Sequence, residues 1–244
     1  MVLGSGSSGN CYILDNGKEA LVIEAGLPIG EVKQALDWKV NRIAGVVVSH
    51  CHGDHAGHLS EFLENGIKAF IPTEMIKDDK DISTVSLRPL EPKKTAFAGE
   101  FAILPLRAYH DVSCLAYVIN HKDIGRLLFV TDTMMFPYSF KGLNHIMIEA
   151  NYDDKVLLEN IYAGLTPPVQ RDRLMHTHFE ISQTIAAVKQ QDLSEVAEIV
   201  LMHLSDSNSS SNDFAERMAS ATGVPTYIAR KGLILELGNN EKPY

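Results

Sequence analysis

Apolar residues fall along the chain in short runs, four to six residues long, separated by polar or glycine-rich breaks. Cys11 to Leu14 and Leu21 to Glu24 flank Asp15-Asn16-Gly17, the pattern of a β-hairpin. Gly45 to Ser49 is β-branched without alternation, which predicts a strand buried on both faces. Ile67 to Ile71, Phe101 to Leu106, Leu115 to Ile119, Leu127 to Thr131, His145 to Ala150 and Glu198 to His203 read as further strands, with Thr226 to Ile228 and Leu233 to Leu237 closing the set. A very short first strand, Met1 to Leu3, precedes the glycine-serine turn Gly4 to Gly9.

Helical spacing predicts a short helix over Glu31 to Leu36. A second covers His55 to Glu64, with Leu59, Phe62 and Leu63 inward and Gly66 at the terminating position. Ile181 to Gln190 and Asp213 to Ala221 are two more. Residues 72–95, with Pro72, Pro89 and Pro92, read as a long surface loop. Residues 151–177 break the strand pattern: an acidic helix candidate, Asp154 to Gly164, then Pro167-Pro168 and a basic stretch with Arg171 and Arg173. This segment is expected to be an inserted lid or arm on one domain spanning 1–244. Strands with helices between and after them predict two sheets covered by helices, an α/β (α+β) class.

The chain has 244 residues, enough to bury a core without disulfide staples. Its balance of 45% hydrophobic and 22% charged residues excludes a disordered chain, a fibre and a disulfide-rich scaffold. A net charge of −9 excludes a basic nucleic-acid coat, though not a local basic patch. No apolar run approaches the roughly 20 residues of a membrane span, and no signal-peptide pattern is visible. Three widely spaced cysteines, Cys11, Cys51 and Cys114, point to a reducing, cytoplasmic setting.

Chemistry concentrates in Ser49-His50-Cys51-His52-Gly53-Asp54-His55, directly after the buried strand. Three imidazoles and a carboxylate leaving one strand end can converge on one point. They suit Zn²⁺, Mn²⁺ or Fe²⁺, and four such ligands exceed what one open catalytic metal needs. His110, Asp132, Glu149 and His203 each stand where a later strand ends, a common place for α/β sites. Cys51, alternating away from its neighbours, is expected to be a packed thiol. His58 is expected to be a partly buried helix residue, and His121, His145 and His176 surface residues. Gly4 to Gly9 fits a phosphate-cradling nest and a tight turn equally well.

The His-x-His-x-Asp-His pattern resembles the signature of the metallo-β-lactamase fold superfamily, and the resemblance runs across essentially the whole chain. It implies a four-layer αββα sandwich with two divalent ions at one edge. By that resemblance His50, His52 and His110 hold one ion, Asp54, His55 and His203 the other, and Asp132 bridges them. The Gly4-Ser-Gly-Ser-Ser-Gly-Asn-Cys11 and His203-Leu-Ser-Asp-Ser-Asn208 segments are similar to the YycJ/WalJ (VicX-like) branch, associated with DNA exonuclease activity. Glu149 and His178 are similar to the acidic motif and non-ligand histidine of β-CASP and RNase J-type nucleases. Glu149 as a simple strand cap, and His176 in place of His178, stay open. One departure stands out: the usual Ile-Asp-Ala-Gly segment is Ile23-Glu24-Ala25-Gly26 here.

The function this implies is a dinuclear metal-dependent phosphodiesterase or nuclease. A hydroxide bridging the metals would be the nucleophile, with Asp54, His178 and Glu149 as catalytic residues. Its substrate would be nucleic acid or a small phosphodiester, with no membrane partner. The −9 charge favours the small substrate over long duplex. The alternative is hydrolysis of a lactone, thioester or related ester at the same site. A non-catalytic module would be marked by lost ligands, yet all seven are present. The native metal and oligomeric state are not encoded legibly.

Overall fold

The computed structural model describes residues 1–78 and 86–238. In chain order its strands are β1 (Val2–Gly4), β2 (Cys11–Asp15), β3 (Ala20–Ile23), β4 (Ile43–Val47), β5 (Ala69–Pro72), β6 (Leu87–Leu90), β7 (Ala96–Ala98), β8 (Phe101–Tyr109), β9 (Ser113–His121), β10 (Gly125–Val130), β11 (His145–Glu149), β12 (Glu198–Met202) and β13 (Thr226–Ile228). The helices are α1 (Ile29–Ala35), α2 (Gly53–Ala56), α3 (Leu59–Glu64), α4 (Thr73–Asp78), α5 (Asp154–Tyr162), α6 (Pro168–Thr177), α7 (Ile181–Lys189) and α8 (Ser211–Thr222).

Strands β1 to β6 form one sheet in sequence order; the other runs β13-β12-β11-β10-β9-β8-β7. Each is antiparallel at its chain-start half and parallel beyond, where helices supply the crossovers except between β10 and β11, which an irregular segment joins. Alternation explains the layers. In β10, Leu127 and Phe129 face the other sheet while Leu128 and Val130 face helices. The inter-sheet core joins Tyr12, Leu21, Ile23, Val47 and Phe70 to Ile103, Tyr117, Phe129 and Met147. Outside the first sheet, Val22, Val46 and Val48 pack on Ile29, Val32, Leu59 and Phe62. Outside the second, Ile146, Ile148 and Leu201 pack on Phe179, Ile181, Val188, Phe214 and Met218. The result is helix, sheet, sheet, helix: the expected four-layer sandwich.

Several expectations need correction. The 72–95 segment is not a loop throughout. It holds α4 and the edge strand β6, paired among the described residues with β5 alone, where Pro89 removes no ladder bond that pairing requires. Residues 79–85 of that segment lie outside the described residues. Strand β7 was not foreseen. The helix expected over His55 to Glu64 is two short helices, α2 and α3, parted at Gly57-His58. Gly66 does terminate α3: its φ is +74°, its N–H donates to the Leu63 carbonyl (2.9 Å) and Ile67 N–H to that of Phe62 (3.0 Å). Leu233 to Leu237 does not form a strand; Leu233 accepts one bond from Val2 N–H (2.9 Å), and its leucines pad the inter-sheet core. His121 and His145 are buried, not on the surface. His145 Nδ1 meets Glu198 and Nε2 lies 2.9 Å from the Ile124 carbonyl; His121 Nε2 lies 3.2 Å from Glu19. Among the described residues no helix is long and apolar enough to cross a membrane.

Candidate metal centre

Both sheets deliver their functional side chains to one edge of the sandwich. β4 ends at Val47 and the chain turns through His50, His52, Asp54 and His55. From the second sheet come His110 after β8, Asp132 after β10, Glu149 ending β11 and His203 after β12. His178 arrives differently, at the residue that ends α6. All seven expected ligands and the Glu149–His178 pair meet here.

Asp132 lies at the middle, 2% exposed. Its Oδ1 is 3.3 Å from His55 Nε2 and 3.3 Å from His203 Nδ1, while its Oδ2 is 3.9 Å from His50 Nε2 and 3.8 Å from His110 Nε2. Its two oxygens therefore face two different groups. His50, His52, His110 and Asp132 bring ligand atoms within 4.8 Å of one another, and so do Asp54, His55 and His203. In the second group Asp54 Oδ2 is 3.3 Å from His55 Nε2 and 3.2 Å from His203 Nε2. Donors about 2.0–2.1 Å from a tetrahedral ion sit about 3.3 Å apart, so these spacings suit divalent ions.

Tautomers and an orphaned nitrogen strengthen the fit. His110 Nδ1 donates to the Thr177 carbonyl (2.7 Å), leaving Nε2 to face the centre. His50 Nδ1 is engaged by Ser49 Oγ (2.8 Å), and its buried Nε2 has no hydrogen-bond partner. A buried polar atom without a partner is costly, and an ion at this point would satisfy it. The donor set of imidazoles and carboxylates is that of a divalent metal site.

Asp132, Glu149, His178 and His203 also cluster. Here Glu149 Oε1 is 2.6 Å from His178 Nδ1 and 3.1 Å from His203 Nδ1. Its Oε2 accepts from Thr133 N–H (3.1 Å) and Phe179 N–H (3.1 Å). Glu149 is thus more than a strand cap, and exposed His176 is not part of the centre.

Burial alone would disfavour charge throughout, and its outcome differs across the centre. Burial, then nearby His55, push His50 well below the ordinary histidine value, and burial likewise lowers His110. Burial also opposes charge on His55, His178 and His203, but carboxylates outweigh it and raise all three. Asp132 and Glu24 act on His55, Glu149 on His178, and Asp132, Asp54 and Glu149 on His203. Asp54, Asp132 and Glu149 are held low by the same imidazoles despite burial. The centre is built around buried negative charge that asks for cations.

Some contributors escaped the sequence. Asp111, next to His110, puts Oδ1 3.1 Å from His110 Nε2 and 3.4 Å from His52 Nε2. Asn10 and Ser5 reach the centre from the glycine turn. That turn is tight, with Gly9 N–H bonded to the Gly6 carbonyl (3.0 Å). Glu24, at φ +67°, accepts from Ser49 N–H (3.2 Å) and stands 3.5 Å from His55 Nδ1, too far for a hydrogen bond. Cys51 is exposed, contrary to the packed thiol expected, because the loop turns it outward between His50 and His52. Arg171 is held by Asp154 through two bonds (2.8 and 2.9 Å).

Comparison with known proteins agrees with this geometry. Residues 4–77 match the family model described as metallo-beta-lactamase superfamily. The chain is 27% identical over 177 residues to exodeoxyribonuclease WalJ of Streptococcus pneumoniae, covering 66% of this chain and 65% of that one. The match thus spans less than two thirds of the pneumococcal protein. With exodeoxyribonuclease YycJ of Bacillus anthracis the identity is 24% over 223 residues, 85% of this chain and 82% of the relative. Among solved structures, the metallo-beta-lactamase fold protein YhfI from Bacillus subtilis superposes with a TM-score of 0.70 at 15% identity, covering 96% of this chain and 98% of that one. A human short-form tRNase Z superposes at 0.59 and 14% identity, covering 97% and 98%. The matched segment carries the glycine turn and the His50–His55 loop, and from end to end the chain shares the fold of these solved structures.

Proposed function

We propose that the protein is a dinuclear metal-dependent phosphodiesterase, most simply a nuclease acting on DNA. The observation that carries this is the Glu149–His178 pair, bonded at 2.6 Å and set with His178 Nδ1 3.6 Å from Asp132. Such a pair sets a proton donor beside the ligands, where the alkoxide released from phosphorus would take up its proton. The exodeoxyribonuclease names of the two relatives support the same choice.

His50, His52 and His110 would hold one divalent ion, zinc or manganese, and Asp54, His55 and His203 the other, with Asp132 shared. When bound, such ions supply Lewis acidity toward phosphate oxygens and an activated water at neutral pH. The protein's own groups do the rest. Glu149, fixed by two backbone N–H groups, takes Nδ1–H of His178 and turns Nε2 toward substrate. His178, its pKa raised by Glu149 against the effect of burial, carries the proton for the leaving oxygen. Asp54 stays ionised; its Oδ2 is engaged with His55 and His203, which leaves Oδ1 to orient the attacking water. The α5–α6 pair, residues 151–177, serves as an arm on the single domain, since Thr177 fixes His110 and His178 follows it directly. With its cysteines unpaired, the protein suits a reducing, cytoplasmic compartment.

The test is hydrolysis of bis-p-nitrophenyl phosphate and of 5′-labelled single- and double-stranded DNA with added Zn²⁺ or Mn²⁺. Asp132→Ala should abolish turnover together with metal binding. His178→Ala should lower the rate about 10²–10⁴-fold with both metals retained. Two bound metals and no turnover of any phosphodiester would sink the proposal and make lactones and thioesters the next panel.

A further inference from the structure

The glycine-serine turn at the chain start reaches one half of the centre and not the other. Asn10 is fully buried. Its Oδ1 accepts from Gly6 N–H (2.9 Å) and Tyr12 Oη (3.3 Å), which fixes the orientation of the amide. Its Nδ2 therefore faces the ligands, 3.3 Å from Asp54 Oδ2 and 3.1 Å from His55 Nε2, and also donates to the Gly6 carbonyl (3.1 Å). The main chain reinforces this contact: Asn10 N–H donates to the Asp54 carbonyl (2.8 Å). Three segments cross so closely here that a Cβ on Gly26 would lie 1.9 Å from that same carbonyl oxygen.

Ser5 holds the third member. Its Oγ accepts from His203 N–H (2.9 Å) and from Tyr12 Oη (2.9 Å). His203 has a φ of +56°, a left-handed conformation that a non-glycine residue keeps only where its surroundings hold it. By contrast, His50 and His110 are oriented by Ser49 and Thr177, which are not part of this turn.

We propose that Ser5 and Asn10 are positioning residues for one half of the dinuclear centre. Together they hold Asp54, His55 and His203, so the second divalent cation depends on this turn and the first does not. The inference rests on the dinuclear reading above. Groups that orient ligands in this way change metal affinity about 10–100-fold when removed.

The experiment is a Co²⁺ titration of the metal-free full chain, followed by visible absorption and calorimetry, with melting curves recorded on the same samples. Asn10→Ala and Ser5→Ala are compared with wild type and with Gln191→Ala. Gln191 is a buried amide with a similar set of bonds, to Phe140 N–H (3.0 Å) and the Tyr138 and Ala187 carbonyls (2.9 and 3.0 Å), but no contact with the centre. The expected result is a second equivalent weakened about 10–100-fold in Asn10→Ala and Ser5→Ala, an unchanged first equivalent, and wild-type titration in Gln191→Ala. Equal loss of both equivalents, or the same loss in Gln191→Ala, would reduce the effect to folding and overturn the proposal. Two normal equivalents in both turn variants would overturn it while leaving the dinuclear reading intact. A wild type taking up fewer than two equivalents would overturn both.

Discussion

Glu149 ties two imidazoles of the centre to the backbone beside it. One oxygen meets His178 and His203, and the other accepts the Thr133 and Phe179 N–H groups. A carboxylate is needed because all four partners can donate and a glutamine oxygen cannot serve them all. Glu149→Gln should therefore leave a buried donor unpaired and lower stability by about 1–3 kcal/mol. It should also slow hydrolysis about 10²-fold. The pH profile separates these effects. Although burial pulls the His178 pKa down, Glu149 raises it above the ordinary value. Removing that charge lowers it, and His178 loses its proton at lower pH. The alkaline limb of kcat/KM should then move to lower pH; an unmoved limb would mean that His178 is not the acid. Asp132 is held well below the usual carboxylate range by His203 and His55 despite burial.

Elements set where these residues stand, and α5 ties the arm to the body. Its N-cap Asp153 accepts from Lys155 N–H (2.8 Å) and Val156 N–H (3.4 Å), and its other oxygen is an ion-pair partner of Arg217 on α8. Asp153→Ala should cost about 1–2 kcal/mol, read as a lowered melting temperature. If the arm aligns His178, kcat should fall with it; thermal loss alone would make the arm merely structural. Most elements were legible because their signals are local. Asn16-Gly17 marked the hairpin, and Val46 to Val48, facing alternate sides between a helix layer and a sheet, marked a strand buried on both faces. The residues of the candidate centre were legible for the same reason: each expected ligand follows a strand, and four share six residues of sequence. What escaped depends on distant partners. β6 exists through β5, despite Pro89. His145 is buried against Glu198, 53 residues away, and His121 against Glu19, 102 residues away. Asn10 contributes through Asp54 and His55, which only the closed fold brings beside it.

At the scale of the whole molecule, charge and metal are coupled. The chain carries −9, and Glu24, Asp54, Asp132 and Glu149 gather around the centre. Divalent ions binding only the folded state stabilise it by about 4 kcal/mol per ion at 1,000 times Kd. For a chain of this size that is on the order of 10 °C in melting temperature for each ion. Chelation should lower the melting point accordingly, and re-addition of Zn²⁺ or Mn²⁺ should restore it. His55 and His203, held protonated by carboxylates against burial, must release protons to bind metal, so the shift should shrink as pH falls.

On the proposed nuclease reading, the same charge balance constrains how DNA would be held. With −9 overall and Arg171 and Arg217 already paired to Asp154 and Asp153, a long electrostatic track along the backbone is absent among these groups. On that reading, attraction is expected mainly at the few phosphates nearest the metals. Each neutralised phosphate adds about −0.9 to the slope of log affinity against log salt. Two or three contacts give a slope of about −2 to −3, an affinity loss of about 10–40-fold between 50 and 200 mM salt. A nuclease with six to ten contacts would lose about 10³–10⁵-fold over the same range. Competition binding of 5′-labelled DNA to the metal-loaded protein across this range measures the slope. A steep slope would require a basic track along the DNA, while the shallow one expected here would mean that the metals, not the protein surface, draw the substrate in.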